Sequence, residues 1–189
     1  MTFDPTKELP IKPSRYMKLK NPENTFRMLA DPITGYEWWE DTPNGKRTPV
    51  RRSEDEGIAL DGTIEEDTVK FFWAFPVWNY TDQAVQILEL TQMSVIKAVR
   101  ALWNSKKWGD PKNYDITITK TGDKLETRYA VMPEPPTKLD DMIVKLFKET
   151  PVNLEALYAG KDPWEQKDLL KKPITVEDDG VDLSSIPFN

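Results

Sequence analysis

The chain has 189 residues, a net charge of −6 and 38% hydrophobic content, with 16 prolines, no cysteine and no histidine. The length suffices for one cored domain with extensions, and the low apolar share points to polar, Pro-bearing arms around it. Without Cys or His, disulfides, Cys/His zinc sites and histidine-assisted nucleophilic catalysis are excluded, and no glycine-rich phosphate loop is present, so the expectation is a non-enzymatic protein without metal or cofactor.

Residues 1–14 carry Asp4-Pro5, Leu9-Pro10 and Lys12-Pro13 and read as a flexible arm. Arg15 to Leu19 alternates as a short strand, and Thr25 to Leu29 forms another that continues through Tyr36 to Trp39 after a turn. A polar loop is expected around Asn44-Gly45, carrying Arg47, Arg51 and Arg52, followed by an acidic stretch from Ser53 to Asp67. Val69 to Asn79 is a long aromatic strand. Its turn at Thr81-Asp82 predicts a hairpin with Ala84 to Leu90 in which Trp78 faces Val85 and Phe75 faces Leu88.

Next comes a helix expected to be capped by Thr91, with an apolar stripe at Val95, Ile96, Val99, Leu102 and Trp103. Asn113 to Lys120 and Glu126 to Val131 make a second hairpin. Strand, strand, strand, helix, strand, strand is the order of a five-stranded OB-type Greek-key barrel with its helix between strands 3 and 4. The expected organisation is a mainly β OB domain over residues 15–133, a short helical extension over 134–170 and a disordered acidic tail over 171–189. In the extension, Thr137 is read as the cap of a helix bearing Leu139, Met142, Ile143, Leu146 and Phe147, and Asn153 starts a short turn.

Charge is unevenly distributed. Through Lys138 there are 20 Lys and Arg against 21 Asp and Glu; beyond it there are 6 against 11. The acid is concentrated towards the C-terminus, and the central domain is free to carry a basic strip. No stretch approaches the length of a membrane span, which sets an expectation of no membrane and a cytoplasmic location.

The aromatic strand carries rings on both parities. Phe71, Trp73, Phe75 and Val77 share one face, and Lys70, Phe72 and Trp78 share the other. One face fills a core. The other is expected to stack on bases beside phosphate-neutralising cations; the competing reading is a strand buried on both faces. Trp38 and Trp39 are adjacent and point to opposite faces, so one belongs to a core, and the residues leave open which. Arg47, Arg51 and Arg52 border the expected groove, or balance the acidic run beside them. Lys106, Lys107 and Trp108 follow the helix, as contacts or as charges matching its dipole. Arg128 and Tyr129 face opposite ways on the last strand.

Tyr114 to Gly122, Leu125 to Val131 and the Phe72 to Tyr80 run resemble bacteriophage single-stranded DNA-binding proteins. The tail, with Asp178, Asp179 and Asp182 before Ile186, Pro187 and Phe188, resembles the acidic C-terminal tip of bacterial single-stranded DNA-binding proteins; it departs by the extra Asn189. The resemblance implies an OB fold that coats single-stranded DNA with weak sequence preference, in the cytoplasm of an infected bacterium. It also implies roles in replication, recombination and repair, with replication or repair proteins recruited through the tail and room for self-association on DNA. The zinc site of the T-even helix-destabilising protein has no counterpart, for lack of Cys and His. The alternative from the Trp-rich strands is a carbohydrate-binding β-barrel module.

Overall fold

A computed structural model of the chain describes residues 14–58 and 68–165. The N-terminal arm, except for Ser14, and the acidic tail lie outside these, as does most of the acidic stretch before the aromatic strand. The described residues form a mixed sheet of eight strands with two helices. The strands are β1 (Tyr16–Met17), β2 (Glu23–Met28), β3 (Ile33–Asp41), β4 (Arg47–Ser53), β5 (Lys70–Asn79), β6 (Ala84–Leu90), β7 (Asp115–Thr121) and β8 (Arg128–Pro133). The helices are α1 (Met93–Trp103) and α2 (Asp141–Glu149), and short 3-10 turns fill the remaining corners.

β5 organises the sheet. One edge pairs along β6, with Trp78 opposite Val85 and Phe75 opposite Leu88, the register the hairpin turn predicts. The other edge pairs in succession with β2, at Trp78–Arg27, and β3, at Lys70–Glu37. β2 also pairs with β7, and β7 with β8. The hydrogen-bonded order is β1-β6-β5-β2-β7-β8, with β3 and β4 branching from β5. A closed five-stranded ladder is not what forms. The outer edge of β6 is taken by β1, in parallel, and β8 pairs with β7 alone.

Two cores flank β5, because its apolar residues occupy both parities. Phe26, Met28, Trp73, Phe75, Val77, Leu88, Leu90, Ile116 and Ile118 fill the first. Val95, Ile96 and Val99 of α1 close it. The helix begins after Gln92 rather than at a Thr91 cap. On the opposite face Phe72, Ala74 and Ile87 pack under Leu157, with Tyr158, Val152, Leu154 and Trp164 around them. The segment 151–165 is thus a strap across the sheet. Tyr158 anchors it by donating to the Thr34 carbonyl at 2.7 Å.

This arrangement corrects the expectation of an exposed aromatic face. Phe72 is 0% exposed and Trp78 3%. At Phe72 the burial follows from supply: the strap brings apolar surface over Phe72, Ala74 and Ile87, and each large side chain so buried contributes on the order of 1.5–3 kcal/mol. Beside Trp78, Arg27 is also buried. It donates from Nε to Asp115 at 2.6 Å and from Nη1 and Nη2 to Thr137 at 3.0 and 2.9 Å. Thr137 therefore serves this network, and the side chain that caps α2 is Asp140, accepting from the Met142 amide.

Trp78→Ala is expected to cost roughly 3–5 kcal/mol of folding stability, because it removes a buried ring from a packed layer. Chemical denaturation measures this; an unchanged midpoint would show that the ring carries no packing.

Candidate nucleic-acid interface

The region expected to be a polar loop is a hairpin. β4 pairs with β3 from Gly35–Ser53 to Asp41–Arg47, turning at Asn44-Gly45 where Gly45 takes a φ of +72°. Alternating Trp38–Val50 and Trp39–Pro49 pairs give it a strand pattern, and Pro49 is tolerated because β4 lies at a sheet edge. Gly35 lets the strands seat over Phe72. A Cβ there would stand 2.1 Å from the Arg52 carbonyl oxygen and 3.2 Å from the Phe72 ring.

The hairpin separates the two tryptophans. Trp38 is buried, donates from Nε1 to Glu40 at 2.7 Å and lies 6.0 Å from the exposed Arg52 guanidinium. Trp39 is 51% exposed, with Arg47 beside it pairing Asp41 at 3.4 Å. Arg51 is not a free cation. Its Nη2 meets Glu89 at 2.8 Å and its Nε approaches Glu37 at 3.4 Å, while the guanidinium covers Phe72 at 5.8 Å. The Arg51 Nε to Glu37 Oε2 contact is an ion pair without hydrogen-bond geometry, and both atoms are buried.

Around β1 the surface is hollowed. Three depressions meet at Tyr16. The largest, about 690 Å³, runs between Thr48–Arg51 of β4 and residues 157–163 of the strap, and is also lined by Arg15, which pairs with Asp162 at 2.9 Å. The second, about 310 Å³, is bordered by Lys18, Lys20, Asn24 and Asp82. The third, about 340 Å³, lies between Lys18 and Leu19 on one side and Lys120 and Tyr129 on the other, with Gln92 and Glu89. Together they are lined by the cations Arg15, Lys18, Lys20, Arg51, Lys120 and Lys161 against the acids Glu23, Asp82, Glu89 and Asp162. A chain of net charge −6 thus carries a belt with a positive excess, and the rings of Tyr16, Tyr129 and Tyr158 line it.

Of the sequence-predicted residues, Arg51 and Tyr129 line this belt. Trp39 and Arg47 belong to the same hairpin but not to the depressions. Lys70 is exposed at the start of β5, opposite Glu37. Arg128 is exposed at the start of β8. Lys106 and Lys107 are exposed beyond α1; Lys107 sits 5.1 Å from the half-buried Trp108 ring, which packs on Tyr114. These three residues line none of the depressions. Asp178, Asp179, Asp182, Ile186, Pro187 and Phe188 fall outside the described residues. Arg15, Tyr16, Lys18 and Lys20 also line the depressions and are not among the sequence-predicted residues. Their signal was a Tyr among cations within six residues, which read only as a strand.

Comparison with family models, curated proteins and solved structures finds no match to this chain. No helix among the described residues is long and apolar enough to cross a membrane, and no group of His, Cys, Asp or Glu among them could hold a metal ion.

Burial, then the charge of Glu89, push the Glu37 carboxyl up from 4.5 to about 7, with Arg51 pulling the other way. A raised folded-state value stabilises the protein fully below about pH 4.5 and loses that contribution as pH climbs through about 7. Glu37→Gln should flatten the melting profile across this window and raise Tm by a few degrees above about pH 7. A parallel wild-type and variant profile would show that Glu37 does not titrate there.

Proposed function

We propose that the protein binds single-stranded DNA along the belt around β1, without strong sequence preference. The observation that carries this reading is the run of three depressions meeting at Tyr16, edged by lysines and arginines and lined by tyrosines on an otherwise acidic chain. Cations spaced along a groove suit a phosphate chain, and ring faces suit unstacked bases of any identity. A duplex keeps its bases stacked and offers no face to these rings.

The fold supports the same reading. We take β2 and β3 as one bent strand, followed by β5, β6, β7 and β8, with α1 between the third and fourth: the strand and helix order of an OB barrel. The face of its second and third strands, a usual oligonucleotide surface in that fold, is covered here by the strap. The available surface shifts to the edge of β6, where β1 lies. The β3–β4 hairpin, with Trp39 and Arg47, flanks one end and the β7–β8 hairpin, with Arg128, the other. The tail from Glu177 to Phe188 is assigned to replication or repair partners, with Phe188 as an apolar anchor beside acidic residues.

Anisotropy titrations with single- and double-stranded oligonucleotides at two salt concentrations test the reading. Binding should favour the single strand, and log K should fall with log salt at about −0.7 per phosphate contacted. Lys18→Glu combined with Lys120→Glu should weaken it by about tenfold or more at low salt, while Lys145→Glu on α2 changes little. Equal affinity for duplex, or salt-independent binding of a neutral oligosaccharide in its place, would overturn the assignment. For the tail, a pull-down with replication or repair proteins should recover a partner with the wild type and lose it with Phe188→Ala, while DNA affinity stays nearly unchanged, since the substitution removes no charge.

A further inference from the structure

Arg51 belongs to two places at once. It lines the 690 Å³ cleft between β4 and the strap, and its guanidinium is paired with Glu37 of β3 and Glu89 of β6. Lys70 of β5 also acts on Glu37, and Tyr16 of β1, Arg15 and the strap's Asp162 stand around the same cluster. With both carboxylates ionised, the Glu37–Arg51–Glu89 group carries one net negative charge. With one proton on the pair it is neutral. Glu37 is 7% exposed and the Arg51 side chain that pairs with both carboxylates is 11% exposed, so water does little to absorb the difference at Glu37.

We propose that filling this cleft with a phosphate-bearing strand is coupled to uptake of one proton by the Glu37–Glu89 pair. This rests on the single-strand reading above. A phosphate entering the cleft approaches Arg51, whose guanidinium lies 3.4 Å from Glu37 and 2.8 Å from Glu89. An anion there disfavours the second negative charge of the pair, so the proton is held more tightly in the complex than in the free protein. By linkage, proton and strand then strengthen each other's binding to the same degree. The proton is placed on the Glu37 carboxyl, the group that burial and the neighbouring Glu89 charge push up.

The chain makes this measurable. It has no histidine and no cysteine. The other group ordinarily titrating near neutrality is the terminal amine, at roughly 7.7–8.0. The Glu37 carboxyl of the free protein lies at about 7.

The test is isothermal titration calorimetry of the full chain with an oligothymidylate, whose bases and phosphodiesters do not titrate around neutrality, in buffers of different ionisation heat. Between about pH 8 and about pH 6 the wild type should tighten by up to about tenfold, with net proton uptake near neutrality. Glu37→Gln should bind near pH 8 as tightly as the wild type does near pH 6, with no buffer-dependent heat. Circular dichroism first establishes that the variant is folded, and Glu89→Gln provides the same test from the other partner. Wild-type binding that is independent of pH, or an unchanged pH dependence in both variants, overturns the coupling alone. Failure of the oligonucleotide to bind at either pH overturns the single-strand reading and the coupling with it.

Discussion

The two-sided burial of β5 is the constraint on which the rest depends. A strand with rings on both parities cannot leave either face in water without exposing a large apolar patch. α1 closes the first face. The second needs a separate cover, and the chain supplies it by sending residues 151–165 back across Phe72, Ala74 and Ile87. The C-terminal extension is therefore part of the fold.

That cover decides where a ligand has access. The strap removes the β5–β6 face from solvent and creates a new wall, so that the accessible hollow lies between the strap, β4 and β1. β1 is only two residues long, yet it closes the outer edge of β6 and brings the cations of its flanks beside those of β4, β7 and the strap. The same packing takes Arg51 out of the set of free cations. Bringing Glu37 and Glu89 to one guanidinium leaves the trio neutral or negative, and Arg15 pairs with Asp162 at 2.9 Å, so the positive character of the belt comes chiefly from Lys18, Lys20 and Lys120.

How much was legible in the sequence varies by element. The β5–β6 register was readable because a tight turn fixes pairing locally. The α1 stripe was readable because Val95, Ile96 and Val99 repeat at helical spacing. β4 was not, because Pro49, Asn44 and Gly45 are loop signals, and the strand exists through its pairs with β3. The exposed aromatic face failed for a similar reason. Phe72 and Trp78 have a fixed parity but no local indication of what packs above them, and Phe72's cover comes from Leu157 and Tyr158, more than eighty residues away.

By itself, then, the sequence determined the local geometry. It fixed strand parity, turn positions, the helix stripe, the uneven charge and the exclusion of Cys and His chemistry, since each depends on near neighbours or on composition. Only the tertiary structure decided which side of each element meets solvent. It buried Phe72, Trp78 and Trp38, exposed Trp39, neutralised Arg51 and gathered Tyr16, Tyr129 and Tyr158 into one belt. Burial and electrostatics are properties of what lies across space, and the residues that set them here are far apart along the chain.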